Sequence, residues 1–411
     1  MFTEQEKIRI KERYNMALDR IKNTNIKCFK DHKKPVFLIS DTYPGVWLEH
    51  SYDSVFLAKL DRKFLDIAKN TLCLFLDNQR ENGQLPCYVI DKGKAPDWPE
   101  FGYSQIQECV SFTRLCCEYY EMSGDLEFLK YAYNRCVKWQ KWYENTRVPS
   151  ETGLVEMFCG YDTGHDNSCR MDGTRYKGSA KDNDASVYPE DDEILPMIAP
   201  DINSVYYGSL TALSDMANSL GIYEDVDKWR KKAELIKQKL IETCFDKEDC
   251  FFYDVDKNGN KRKHLSISIT NVLSEHLLSQ KQATDIINKH LLNKNEFYTE
   301  YPFPSIAISD TGFERNNNGN SWNYYSQALT VLRCTRWMDF YGYSKEFDEV
   351  LEKWIRQWAF SKKIMFGQEL DPFTGEPSDC SEWYSSCMLV YVYATERLGL
   401  TQDSMHQKER R

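Results

Sequence analysis

Phe112-Thr113-Arg114-Leu115-Cys116-Cys117-Glu118-Tyr119-Tyr120-Glu121-Met122-Ser123-Gly124-Asp125-Leu126-Glu127-Phe128-Leu129 decides how this chain folds. Ile106, Cys109, Val110, Cys117 and Tyr120 recur at helical spacing. Beyond the break, Leu129, Ala132, Cys136, Trp139 and Tyr143 make a second apolar stripe. Ser123-Gly124-Asp125 separates the two: the glycine closes one helix and Asp125 is placed to cap the next. The same grammar returns along the chain. Leu220-Gly221 divides a helix over 204–219 from one starting near Glu224, Gly342 divides a helix beginning near Trp322 from one over 345–360, and Asp61 takes the joint between Val55-Leu60 and Phe64-Leu76. An N-terminal helix, a weaker pair over 267–278 and 283–291, and a last helix over 385–398 bring the total to roughly twelve. There is no strong strand series, and Cys250-Phe251-Phe252-Tyr253 reads as a small hairpin. Long polar segments separate the pairs, over 91–102, 151–201, 298–321 and 367–382. Loops of that length in a compact domain tend to be functional. The pattern predicts an all-α chain, a toroid of helical hairpins with its loops on one face, forming a single domain over 1–411.

Composition narrows the function. Of 411 residues, 41% are hydrophobic and 14% aromatic, ample for a large core. The net charge of −10 argues against binding a phosphate backbone, and Lys261-Arg262-Lys263 is too short for a nucleic-acid footprint. The N-terminus is charged and no stretch approaches the length of a membrane span, so no secretory signal, anchor or membrane partner is expected. The 14 cysteines show no metal-ligand spacing; Cys116 and Cys117 read as buried thiols, and a cytoplasmic location is expected. Asp254-Val255-Asp256-Lys257-Asn258-Gly259 imitates a calcium loop, but its twelfth position is Leu265, so it reads as a hairpin turn. Glu190-Asp191-Asp192-Glu193 is a solvated acidic run, and the seven histidines carry no zinc motif. No serine-nucleophile or phosphate-loop motif is present, and no catalytic metal or cofactor is expected.

Two loops carry candidate chemistry. Asp162-Thr163-Gly164-His165-Asp166-Asn167-Ser168-Cys169-Arg170 holds two carboxylates too close together to flank a sugar from opposite sides. One suits a general acid and the other a binding or orienting group, unless both are turn acids bonded to backbone amides. Gln368-Glu369-Leu370-Asp371-Pro372-Phe373-Thr374-Gly375-Glu376 offers Glu369 as a second carboxylate, or a plain surface turn. Among the tryptophans, Trp47, Trp98, Trp322 and Trp383 lie in loops or at helix ends, where a ring face can stack on a sugar.

These residues bring a family into view. Gly164-His165-Asp166-Asn167-Ser168 with Arg170 resembles the Gly-x-Asp-Asn-Ser-Pro-Arg signature of the six-hairpin glycosidases of glycoside hydrolase family 63, with Cys169 in place of Pro. The resemblance includes that family's mannosylglycerate-hydrolase-like members, extends more distantly to family 37 trehalases, and runs from about Pro44 to Leu400. Tyr52-Asp53-Ser54 with Phe56 resembles its Trp-Asp-Ser-x-Phe segment; Asn82-Gly83-Gln84-Leu85-Pro86, Tyr103-Ser104-Gln105 and Asp201-Ile202-Asn203 resemble further segments. Gly319-Asn320-Ser321-Trp322 takes the place of an Arg-Gly-x-x-Trp segment, with Asn318 where the arginine stands. In the last motif, counting back from Asp371 puts Gln368 at the general-base position, with Glu369 beside it.

The resemblance implies an (α/α)6 toroid and an inverting exo-glycosidase acting on a small α-linked glucoside or mannoside. Asp166 is implied as the acid, with Asp162 supporting it. Glu369 is the favoured base, roughly 6.5–9.5 Å away, with Glu376, Glu382 or a loss of hydrolysis as alternatives. Asp53, Gln105, Asp162, Arg170, Asp201, Trp47, Trp322 and Trp383 are the expected binding shell. The expected partner is a small carbohydrate; the oligomeric state stays open. Two other readings remain: a sugar epimerase or isomerase on a similar toroid, using His50 or His165, and a carbohydrate-binding protein with a decayed site, to which Gln368 points.

Overall fold

The computed structural model describes residues 2–315, 320–363 and 365–401. Within them lie twelve α-helices: α1 (Glu4–Arg20), α2 (Ser51–Leu60), α3 (Leu65–Asp77), α4 (Phe112–Ser123), α5 (Leu126–Thr146), α6 (Pro200–Leu220), α7 (Tyr223–Cys244), α8 (Ile269–Ser274), α9 (Gln280–Ile286), α10 (Ala328–Arg333), α11 (Ser344–Phe360) and α12 (Ser385–Arg397). The even-numbered helices form a closed ring, α2 against α4, then α6, α8, α10, α12 and back to α2. Helices α1, α3, α5, α7 and α11 pack outside that ring. The chain is an (α/α)6 toroid.

Burial follows position in the ring. α8 and α10 are buried along their whole length, and α2, α6 and α12 along most of it. The outer α5 and α7 bury only one stripe. The joints behave as their residues dictate. Asp125 accepts the Phe128 N–H to cap α5, and Gly124 closes α4 in the left-handed region.

Two expected helix starts move. The apolar stripe from Ile106 begins as loop, since Gln107 has a φ of 56° and α4 starts only at Phe112. The helix expected near Trp322 starts at Ala328; before it, Ser326–Gln327 pairs antiparallel with Glu369–Leu370. Short sheets pin the long loops. Gly45–Trp47, Tyr88–Ile90 and Phe101–Gly102 form one antiparallel sheet. Phe251–Phe252 pairs with Phe245–Asp246, and Asp254–Val255 with Lys261–Arg262, so both expected hairpins form. No helix among the described residues is long and apolar enough to cross a membrane.

Candidate active site

The loops enclose a cavity of about 690 Å³. Its floor is lined by buried residues, among them Glu49, His50, Gln107, Trp322, Gln368 and Tyr384, and its mouth by the exposed Arg80, Asp97, Trp98 and Asn183. Asp166 stands in its wall. The loop reaches it through Gly164, at a φ of 68°; a Cβ there would lie 2.7 Å from Glu49 Oε2 and 2.9 Å from Cys109 Sγ, so only glycine fits. Asp166 Oδ2 accepts a 2.5 Å hydrogen bond from Asn320 Nδ2, while Oδ1 is buried with no protein partner among the described residues. Burial pushes its carboxyl well above the usual range, and the negative charge of Glu49 pushes the same way. The protonated form of Asp166 is therefore favoured.

Beside Asp166 the wall is made of amides. Gln368 Nε2 donates to Asn320 Oδ1 at 2.8 Å, and Gln368 Oε1 accepts from Tyr43 Oη at 3.0 Å. Asn320 thus bridges Asp166 and Gln368. Glu369 departs from its expected place. It is 0% exposed and does not line the cavity. Its Oε1 accepts from the Ser321 N–H at 2.9 Å and Gln327 Nε2 at 2.8 Å, its Oε2 from Ser378 Oγ at 2.6 Å. Burial raises its pKa against those bonds. The reason is alternation: consecutive residues in extended chain point to opposite faces. Gln368 faces the cavity and Glu369 faces the packing behind it. Neither Glu376 nor Glu382 lines the cavity.

The expected binding shell divides. Trp47, Gln105 and Trp322 line the cavity, with Trp322 stacked on His165 at 4.1 Å between ring centres. The other five do not. Asp162 is fully buried in a bidentate pair with Arg147, at 2.7 and 2.8 Å, and accepts the N–H groups of Ile106 and Phe158. Arg170 is clamped between Asp201 and Asp254, each reached at 2.7 Å. Asp53 accepts from Ser385 and Ser386 Oγ, tying α2 to α12. Trp383 lies beneath the Arg20 guanidinium at 4.6 Å. All five build the scaffold that carries the loops. Asn318 and Gly319 lie outside the described residues.

Glu49, one helical turn before Asp53, takes the cavity position instead. It accepts from Gln107 Nε2 at 3.0 Å and Arg333 Nη2 at 3.2 Å. Residue type gave a usable sign here: an acid beside a histidine in an apolar stretch needs buried partners. Tyr43, Tyr88 and Gln107 line the cavity without any motif to announce them. Of the two histidines proposed for isomerase chemistry, only His50 lines the cavity; its Nε2 bonds Tyr384 Oη at 2.6 Å, and burial lowers its pKa. His165 is turned to Arg170 Nη1 at 3.0 Å. No group of three His, Cys, Asp or Glu side chains among the described residues is placed to hold a metal ion.

Comparison with known proteins agrees with this fold. The family 63 mannosylglycerate hydrolase from Thermus thermophilus, solved with glucose, superposes with a TM-score of 0.73 at 17% identity, over 93% of this chain and 99% of that one. It was also solved with Tris and D-glycerate. Neutral trehalase from Saccharomyces cerevisiae superposes with a TM-score of 0.65 at 14% identity, over 90% of this chain and 74% of that one. An uncharacterized protein of Borreliella burgdorferi is 26% identical over 136 residues, 32% of this chain; the match spans 27% of that protein's length. Residues 45–386 match the mannosylglycerate hydrolase MGH1-like glycoside hydrolase domain, and the chain therefore belongs to that family and is a glycosidase.

Proposed function

We propose that this glycosidase, with the whole chain as one catalytic domain, cleaves an α-linked glucoside or mannoside with inversion, and that Asp166 is its general acid. One observation carries the reading: Asp166 lines a sugar-sized cavity, its surroundings favour the protonated carboxyl, and one of its oxygens has no protein partner among the described residues. Its proton goes to the glycosidic oxygen as the bond to the anomeric carbon breaks. Trp322, Trp47 and Gln105 offer ring faces and an amide to the sugar. The D-glycerate found with a structural relative supports a small polar leaving group as one candidate.

Water attacks from the face opposite Asp166 and gives up its proton to solvent, since the amide of Gln368 takes none. A missing general base costs about 10²–10⁴-fold, so wild-type turnover is expected to be slow. Proton NMR of α-disaccharides and glycosyl-glycerates incubated with the protein tests the proposal. Initial appearance of the β anomer is expected, and Asp166→Asn should lower the rate about 10²–10⁴-fold. Initial release of the α anomer overturns inversion. Gln368 also favours a second reading, a carbohydrate-binding protein with a decayed site, for which saturable binding without any cleavage is the signature.

A further inference from the structure

A row of aromatic rings runs from the amide wall to the mouth of the cavity. Tyr43, bonded to Gln368, lies 5.4 Å from Trp47 between ring centres; Trp47 lies 5.7 Å from Tyr88, and Tyr88 6.1 Å from Trp98. All four line the same cavity. The row is built into the sheet. Trp47 and Tyr88 are direct cross-strand partners, and Tyr88 faces Gly102 on its other side. A Cβ at position 102 would sit 2.2 Å from the Tyr88 ring, so the glycine exists to let that ring lie flat across the strand. Trp98 ends the row, and the turn that carries it is tied down by Lys92 Nζ, which donates to the carbonyls of Pro96 and Trp98.

The row ends in a partly exposed ring. Trp98 is 47% exposed, on a molecule with ample core for its tryptophans. A half-exposed ring on a fixed turn at a cavity mouth, continuous with three more rings lining that cavity, suits the apolar face of a ligand. Beside it stand Arg80, whose guanidinium lies 3.9 Å from the Tyr103 ring centre, and the carboxylate of Asp97. Flat apolar rings alternating with charged hydrogen-bonding groups match a pyranose chain, whose rings have apolar faces and hydroxyl edges. The cavity's volume also exceeds what one hexose fills, falling in the range of roughly 300–1,000 Å³ typical of larger ligands.

We infer that Tyr43, Trp47, Tyr88 and Trp98 form a track for further sugar units on the leaving-group side, so that the preferred ligand is an α-linked oligosaccharide of at least three units. The direction rests on the proposal that Asp166 protonates the leaving oxygen. The cleaved sugar then occupies the buried floor, and only the leaving group can extend to the mouth, where Trp98 lies.

Calorimetric binding of two series tests the track: maltose to maltotetraose, and α-1,2-mannobiose to mannotetraose. In one series, Kd should tighten at least about tenfold from two units to four. Trp98→Ala should abolish that gain, and Trp98→Phe should restore much of it. A Kd independent of length in both series, or a length gain that survives Trp98→Ala, overturns the track. So does tighter binding of p-nitrophenyl α-glycosides than of any oligosaccharide, which would make the row an aryl-aglycone site. Turnover is read separately. Length-dependent binding without cleavage leaves the track standing and removes the proposed function; cleavage with length-independent binding does the reverse.

Discussion

Gln368 and Glu369 sit side by side in an extended segment that presents one to the cavity and the other to a buried network. A shift of one residue in such a segment exchanges the two faces, and no spacing rule in the sequence fixes which face is which. The motif around Asp371 was legible, because Asp-Pro and Thr-Gly are turn chemistry with few alternatives. The side on which the neighbouring carboxylate emerges was not, because the antiparallel pairing of 326–327 with 369–370 sets it, and those segments are far apart in sequence. The position of Asp166 was legible for the opposite reason: it depends on a local loop whose glycine and flanking residues are contiguous. The geometry makes Gln368 the residue to change. Gln368→Glu places a carboxylate in the cavity, beside Tyr43 and Asn320. Hydrolysis should rise at least about tenfold, within the range a general base supplies, whereas Glu369→Gln should leave the rate on the same substrate nearly unchanged. The rates of both variants on one α-glycoside check this; a gain in neither and a loss of about 10²-fold in Glu369→Gln would return the base to Glu369.

At the scale of elements, buried charges hold the loops to the helices. Arg147, capping the end of α5, grips Asp162; Arg170 joins Asp201 at the start of α6 to Asp254 in a hairpin. Sequence reading singled out Asp162, Arg170 and Asp201 but could not separate a residue that touches a ligand from one that aims the loop, since both need charge in a polar segment. Glu108 does the same work without any motif. In the loop before α4 it accepts the Phe112 N–H at 2.6 Å, and on α5 it meets Tyr143 Oη at 2.7 Å and Trp139 Nε1 at 3.1 Å. Burial raises its carboxyl to about 7 from 4.5. Below pH 4.5 the group is protonated whether the chain is folded or not. As pH rises from there through about 7, unfolding releases its proton and the folded state loses stability, by about 3 kcal/mol in all. Thermal melts should therefore show a decline in Tm between pH 5 and 8 that is shallower in Glu108→Gln, whatever the baseline of that variant. Equal slopes would mean that Glu108 ionises in the folded protein as freely as in solvent.

For the whole molecule, the toroid was readable from periodicity because each hairpin repeats one pattern, an apolar stripe, a turn residue and a second stripe. Reading was weakest between 267 and 333, where α8, α9 and α10 are too short to show a full stripe and owe their helical state to burial in the ring. Nor does any local pattern show that the first helix completes the last hairpin. α1 packs on α11 and α12, Tyr14 Oη donates to Glu396 Oε1 at 2.6 Å, and Tyr391 Oη donates to the Ile10 carbonyl at 3.2 Å. Ile10 and Ala17 are fully buried in that seam. A ring is only as stable as its closure, while the chemistry is carried by loops at one face. Ile10→Ala deletes buried volume at the seam, at a cost of about 2–5 kcal/mol. In a chain of this length that lowers Tm by a few degrees. The cavity wall takes no residue from α1, so kcat/KM at 25 °C should stay within about twofold of wild type, given that distant sites act almost independently. Differential scanning calorimetry and initial rates on one α-glycoside separate the two effects. A loss of activity without a fall in Tm would show that ring closure sets the geometry around Asp166, and that scaffold and site are not separable in this fold.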